Sequence, residues 1–145
     1  MDEKKSIHLS DIDHSLIFVN RVYGSILSHR ITNSILVVTC LQCRIHDSSS
    51  SLFSLFIPNH PVIENCQDLV FSHLLRDQFP FHPPTDLSNF RQTTPNMCFA
   101  VKDFNWFQPG PSPHWREGTV ESYVNVHASA SVLMKRLYDM LGNEK

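Results

Sequence analysis

Glycine is scarce in this chain, with four residues among 145, at positions 24, 110, 118 and 142. A P-loop requires Gly-x-x-x-x-Gly-Lys followed by Ser or Thr, and a dinucleotide fingerprint requires Gly-x-Gly-x-x-Gly. Neither spacing can be written with these four glycines. The sequence therefore disfavours nucleotide-dependent catalysis, and we expect no cofactor.

The sequence also lacks an excess of charge of either sign and lacks long apolar runs. Twelve Lys and Arg oppose fourteen Asp and Glu, for a net charge of −2, whereas nucleic-acid binding needs a positive field. No run approaches the roughly 20 apolar residues that span a bilayer, and the start Met-Asp-Glu-Lys-Lys lacks the apolar core of a secretory signal. We expect an intracellular protein of cytoplasm or nucleus that does not bind membranes, with nucleic-acid binding disfavoured.

Cysteine is limited to positions 40, 43, 66 and 98. Without a secretion signal, these residues are expected to be reduced thiols in the core. Cys40 and Cys43, with His46 nearby, have a spacing that zinc ligands use. However, residues three apart on a strand point to opposite faces, so we expect no metal site there.

The first half of the chain shows two helical and two strand-like patterns. A helix is predicted from Asp11 to His29, and a second from Pro61 to Arg76, because apolar residues recur at helical spacing. Between them, 35–45 and 52–57 are rich in β-branched and apolar residues and predict an antiparallel hairpin across a serine turn. The stripe of the first helix comprises Ile12, Leu16, Val19, Tyr23 and Ile26.

The second half predicts strands at 97–107 and 120–127 and a final helix that starts at Ser129 or Ser131 and stops at Gly142. The expected order is α-β-β-α-β-β-α, an α+β fold with a mostly antiparallel four-stranded sheet and helices packed on it. A flexible N-terminus at 1–9 precedes a single domain at 10–145. Long loops rich in proline and aromatic residues are expected at 79–96 and 108–118.

Aromatic residues and prolines concentrate between Phe79 and Trp115, where seven of the nine prolines fall. Aromatic side chains give large contact area with little entropy to lose, and proline pre-orders a loop, so this segment is typical of partner docking. An alternative is that some of these rings belong to the core. The predicted partner-binding residues are Phe79, Phe81, Phe90, Trp106, Phe107 and Trp115.

One family resemblance reaches the same segment. The run Phe79-Pro-Phe-His-Pro-Pro84, followed by Thr94-Pro95-Asn96 and Trp106, resembles landmarks of ubiquitin-conjugating-enzyme-like domains. Thr94 stands where that family has histidine, and Cys98 follows Asn96 too closely to match its catalytic cysteine. The resemblance implies a relative without catalytic activity.

These patterns favour a non-catalytic interaction subunit, an adaptor or assembly protein of a larger complex, whose partner is a second copy or another protein. We expect no catalytic residue. One alternative is an enzyme in which Cys98 acts with His114 or His127. Another is a small domain that binds single-stranded nucleic acid.

Overall fold

The structure is a computed structural model that describes residues 5–73, 96–127 and 130–142. All strand pairings within these residues are parallel. The strands are β1 (Ser6–Asp13), β2 (Leu16–Thr32), β3 (Ile35–His46), β4 (Ser49–Phe56), β5 (Val62–Glu64), β6 (Gln67–His73), β7 (Lys102–Asp103) and β8 (Trp115–Glu117). Two helices follow, α1 (Val120–Val126) and α2 (Ser131–Gly142).

The register shows that the chain winds as a β-solenoid. Paired residues in the first coils lie 17 to 19 positions apart, as in Ser6 with Ser25 and Ile35 with Leu52. Each coil therefore stacks on the preceding one, and each strand pairs with its counterpart one turn away. The sheet order is β7-β5-β3-β2-β4-β6-β8, with β1 on β2.

Two columns of corner residues produce the turns of the solenoid. In each of four successive coils, two residues three positions apart adopt the left-handed conformation with φ between 49° and 57°. Asp and Asn tolerate this conformation better than most other side chains, which accounts for their frequency here. The first column is Asp11, Arg30, Asp47 and Asn65, and the second is His14, Asn33, Ser50 and Asp68.

Side-chain hydrogen bonds reinforce the second corner. Thr32 Oγ1 donates to Asp13 at 2.7 Å, Asn33 Nδ2 donates to the same carboxylate oxygen at 3.2 Å, and His14 Nδ1 lies 2.7 Å from the other oxygen. These bonds, the one from Thr32 first, lower the pKa of Asp13 to about 2. The folded state therefore favours the charged form of this carboxylate.

Acid should remove the stability that Asp13 contributes. Its pKa is lower in the folded chain than the ordinary unfolded value of about 3.9, so the contribution is complete above that pH and is lost as the pH falls toward 2. Thermal unfolding between pH 2 and 6 should show a lower Tm for Asp13→Asn than for wild type at pH 6, with the two converging near pH 2. A difference that stays constant with pH would contradict this assignment.

The interior of the solenoid is apolar, with serines at the turns. Phe53 and Phe71 stack with ring centroids 5.8 Å apart, and both are fully buried. The Ser34 Oγ donates to the Thr32 carbonyl at 2.8 Å and accepts the Ser15 N–H at 3.1 Å, which satisfies backbone groups where the chain turns. The core therefore combines stacked apolar side chains with a hydrogen-bonded serine at a corner.

Ser28 is an exception to this pattern. Within the described residues, its Oγ is the one buried side-chain oxygen without a hydrogen-bond partner. Ser28→Ala should raise the free energy of unfolding by about 1 kcal/mol, because a buried hydroxyl that makes no bond has lost its hydration without compensation. Denaturant unfolding checks this.

The matched control is Ser34→Ala, which should instead cost roughly 1–2 kcal/mol because its hydroxyl makes two hydrogen bonds. Equal effects of the two substitutions would contradict the prediction.

The C-terminal helices cover one broad outer face of the solenoid. Tyr123 in α1 is buried, and its hydroxyl donates to the Ser50 carbonyl at 2.7 Å. Leu133 of α2 belongs to the same apolar cluster as Leu52 and Val70, whose side chains point outward from β4 and β6. Neither described helix has the length and apolar character needed to cross a bilayer.

The predicted α+β fold with an antiparallel sheet is wrong. Residues 11–29, predicted as a helix, lie in β1, β2 and the corner between them. Within β2 the pairing with β3 shifts register between Val19 and Ser25. A corner residue in the left-handed conformation also shifts the inward alternation, as it does between Ile12 and Leu16, so apolar residues acquire three- and four-residue spacings without forming a helix. The same cause explains β5 and β6, where a second helix was predicted at 61–76.

Three further element predictions have mixed outcomes. The predicted strand at 120–127 is helix α1, which Thr119 and Ser122 cap reciprocally. The final helix is confirmed as α2. The predicted hairpin is also wrong, because β3 and β4 are strands but pair in parallel. The first loop, 79–96, lies outside the described residues except for Asn96.

Candidate protein-interaction face

Outward side chains of β1, β2, β3, β5 and β7 form a second broad face, here called the open face. It lies on the opposite side of these strands from the inward residues Cys43, Ile45 and Ile63. The register aligns its side chains in two rows across the strands. One row is His8, Leu27, Arg44, Val62 and Lys102, and the other is Ser10, His29, His46, Glu64 and Phe104.

Phe104 joins the second row although β7 ends one residue earlier. Its N–H donates to the Ile63 carbonyl at 3.0 Å, which continues the pairing and places it beside Glu64. The ring remains 48% exposed. An exposed aromatic side chain therefore borders a row of polar ones.

Arg44 lies in the middle of the open face. It is exposed, and within the described ranges no hydrogen-bond or ion-pair partner is found for its guanidinium. Its strand neighbours are Leu27 on one side and Val62 on the other, and neither can neutralise a charge. A guanidinium with several free donors on a rigid strand is well suited to bind an acidic or carbonyl-bearing surface.

The second row is more strongly paired. His29 Nε2 lies 2.7 Å from Asp47 Oδ2, and Asn65 Nδ2 donates to Asp47 Oδ1 at 2.5 Å. Hydrogen bonds from Asn65 first and His29 second lower the pKa of Asp47. His46 Nδ1 is 3.9 Å from Glu64 Oε1. This row therefore carries the negative charge of Glu64 beside two histidines, whereas the charged groups of the first row, Arg44 and Lys102, are positive.

The structure separates the predicted partner-binding residues. Phe107 is 90% exposed. Trp106 is partly buried and donates from Nε1 to the Gly110 carbonyl at 3.1 Å. Trp115 is partly buried against the core, edge-on to Phe71 with ring centroids 5.7 Å apart. Phe79, Phe81 and Phe90 lie outside the described residues.

Sequence reasoning missed Arg44 and Phe104 as candidates for partner binding. Their signal was the alternation in Gln42-Cys43-Arg44-Ile45-His46, which places polar side chains on one side and apolar ones on the other. This alternation supported the prediction of a strand at 35–45. Only parallel pairing with strands of other coils, which was not predicted, aligns Arg44 with its neighbours on the open face.

The Cys98 thiol is not activated as the alternative of a cysteine enzyme would require. The side chain is fully buried, and burial, with a smaller effect of the Glu117 charge, raises the pKa of its thiol to about 12. His114 lies beside Asp103, and His127 lies beside Asp68. A protonated buried thiol is a poor nucleophile, so the geometry gives no support to Cys98 chemistry.

All four cysteines are free and buried, which confirms the expectation of core thiols. The reasoning about Cys40 and Cys43 was wrong, however, because both side chains point inward on either side of a register shift. A hydrogen bond with Cys43, together with burial, raises the pKa of the Cys40 thiol. In the described part of the chain, no group of three potential ligands is arranged to hold a metal ion.

Comparison with known proteins identifies the relatives of this solenoid. Residues 1–104 match the family model described as Tubulin binding cofactor C. The chain belongs to the tubulin binding cofactor C family. The matched range contains both rows of the open face, whereas the rest of the proline-rich loop after Phe104 and the two helices lie beyond it.

The sequences of two curated relatives align with part of this chain. The chain is 28% identical over 99 residues to Tubulin-folding cofactor C of Arabidopsis thaliana, an alignment that covers 68% of the chain. It is 30% identical over 95 residues, 66% of the chain, to Tubulin-specific chaperone C of Schizosaccharomyces pombe. In both cases the alignment spans only 28% of the relative's length. Both relatives are named for tubulin, which is itself a protein.

A solved structure shows the same architecture. Tubulin Binding Cofactor C from Leishmania major superposes with a TM-score of 0.70 at 21% identity, covering 82% of this chain and 81% of that one. At this identity the likeness concerns the fold. It supports the solenoid and overturns both the α+β prediction and the fold implied by the resemblance to ubiquitin-conjugating domains.

Proposed function

We propose that this chain is a non-catalytic assembly subunit that binds tubulin through the open face. The curated relatives are named for tubulin, and the single observation that carries the proposal is Arg44, exposed at the centre of the first row without a partner among the described residues. The expected setting is an intracellular complex in which tubulin is the protein partner.

The physical properties of the open face support protein binding. Strands hold its side chains in fixed rows, so little backbone ordering is required when a partner docks. Arginine and aromatic residues are enriched among the residues that dominate binding energy, and the face presents Arg44 and Phe104 together with Glu64. Positive charge at Arg44 and Lys102 should attract an acidic region of the partner and make association sensitive to salt.

Binding of purified tubulin heterodimer to the chain tests this proposal. Arg44→Ala should weaken the affinity at least 10-fold, because the substitution removes a charged anchor from the centre of the interface. The affinity of Arg44→Lys should lie between those of wild type and Arg44→Ala, since lysine keeps the charge but loses the planar set of donors.

The matched control is Arg116→Ala, which removes an exposed arginine from β8, a strand outside the open face. Its affinity should stay within twofold of wild type. Absence of tubulin binding by the wild-type chain, or equal affinity of the Arg44 and Arg116 variants, would overturn the proposed site.

A further inference from the structure

One buried carboxylate organises the loop that follows β7. The Asp103 side chain is only 4% exposed, and its Oδ2 lies 2.5 Å from His114 Nδ1. Ser112 Oγ donates to the same oxygen at 2.6 Å, and the Asn105 N–H donates to Oδ1 at 2.9 Å. The carboxylate therefore joins the two ends of the segment 104–114.

Trp106 makes further contacts within the same loop. Its backbone N–H donates to the Asp103 carbonyl at 3.2 Å, and its Nε1 donates to the Gly110 carbonyl at 3.1 Å. Its ring packs edge-on against His114, with centroids 6.1 Å apart. Prolines at 109, 111 and 113 restrict the backbone between these contacts. The loop is thus held in one shape by polar contacts and proline.

The loop carries two exposed aromatic side chains. Phe104 follows Asp103 directly, and strand alternation sends the Asp103 side chain inward and the Phe104 ring outward to the open face. Phe107 is 90% exposed, so packing of its own ring does not fix the loop. The polar network around Asp103, together with the prolines, therefore fixes the backbone that carries these two rings.

We propose that Asp103 is a positioning residue for partner binding, which holds Phe104 and Phe107 in the geometry that a partner recognises. The inference rests on the proposed function for its partner. Asp103 itself is buried and does not contact tubulin in this arrangement. It acts by removing, before binding, the conformational freedom that the loop would otherwise lose on docking.

The ionisation of Asp103 agrees with this role. Burial raises the pKa of the carboxyl group, but the hydrogen bonds from Ser112, Asn105 and His114 together outweigh burial and leave the pKa below its ordinary value. The group is therefore charged at neutral pH, and charge-assisted hydrogen bonds are stronger than neutral ones. Asparagine at this position would keep the size of the side chain and lose the charge.

Hydrogen exchange tests the loop without any partner. In Asp103→Asn, the hydrogen-bonded backbone amides of Phe104, Asn105 and Trp106 should exchange at least 10-fold faster than in wild type, while those of β3 and β4 remain protected. Ser112→Ala retains the carboxylate but removes one donor to it, together with the acceptor of the His114 N–H. It should give an intermediate increase at Phe104, Asn105 and Trp106, and it provides the test if Asp103→Asn proves too unstable to study. Unchanged exchange across 104–114 in both variants would overturn the inference.

A double-mutant cycle with tubulin tests the role in binding. Asp103→Asn alone should weaken affinity about 10-fold. In a chain that already carries Phe104→Ala and Phe107→Ala, the same substitution should change affinity less than twofold, because the side chains it positions are gone. An equal loss in both backgrounds would show a general structural effect and overturn the inference.

The two proposals fail in different ways. If wild type binds no tubulin, the proposed function is wrong and the binding role of Asp103 is wrong with it. If wild type binds tubulin and Arg44→Ala weakens it, but the cycle shows no coupling between Asp103 and the two phenylalanines, the proposed function stands and the positioning role is wrong.

Discussion

Phe71→Ala is expected to lower the free energy of unfolding by about 3–5 kcal/mol, the range for truncating a fully buried phenylalanine. Phe71 stacks on Phe53 and meets the edge of Trp115, so it joins three successive coils through ring contacts. Removal would leave a cavity that rigid neighbouring coils cannot close. Urea unfolding followed by circular dichroism measures the change.

Phe107→Ala removes the same side chain from an exposed position and serves as the control for Phe71→Ala. Its free energy of unfolding should remain within about 0.5 kcal/mol of wild type, as expected for surface substitutions. A loss below 1 kcal/mol for Phe71→Ala would mean that the interior is much less tightly packed than the structure shows.

Asn96→Ala should be the most damaging polar substitution, with a loss of about 2–4 kcal/mol from three hydrogen bonds to backbone groups and one to His73. Asn96 Oδ1 accepts the Ile57 N–H at 3.1 Å and the Cys98 N–H at 3.2 Å, and Nδ2 donates to the Leu55 carbonyl at 2.7 Å. The side chain thus pairs with backbone groups at and just beyond the end of β4, as a neighbouring strand would. Denaturant unfolding checks the size of the loss.

Asn59→Ala provides the comparison for Asn96, because Asn59 is exposed and donates one hydrogen bond to the Leu41 carbonyl at 2.7 Å. It should cost less than about 1 kcal/mol. Similar losses for the two variants would show that the Asn96 amide does not act in place of a strand.

The solenoid could have been predicted from a repeat in the sequence. The segments that begin at Ser10, His29, His46 and Glu64 share one arrangement: two polar residues, a small or apolar residue that points inward, two further polar residues, a serine or leucine, and then an apolar run. The second and fifth positions are the two corners. Because the repeat is defined by backbone conformation more than by identical residues, inspection for sequence identity does not detect it.

Secondary-structure patterns succeeded where local interactions determine the element. Helix α2 has a regular apolar stripe and stands outside the coils, and β3 has a long run of β-branched and apolar residues. They failed at β2, where the register shifts within the strand, and at β5 with β6, where corners interrupt the alternation. They also failed at α1, where alternating valines predicted a strand. The parallel direction of the strands was also not predicted, because parallel pairing is fixed by contacts between residues one full coil apart.

The candidate site was partly accessible from the sequence. Of the residues predicted to bind a partner, Phe107 is exposed, whereas Trp115 packs against the core. Arg44 could not be selected from the linear sequence, since its importance comes from its neighbours Leu27 and Val62, which lie 17 and 18 residues away.

The spacing of the coils has a consequence for changes in chain length. Partners one coil apart are separated by 17 to 19 residues up to β6, but Val62 and Lys102 are separated by 40. An inserted residue between two corners would exchange the inward and outward sides of the rest of that coil. A change of length within one of the first coils would therefore alter which side chains the open face presents.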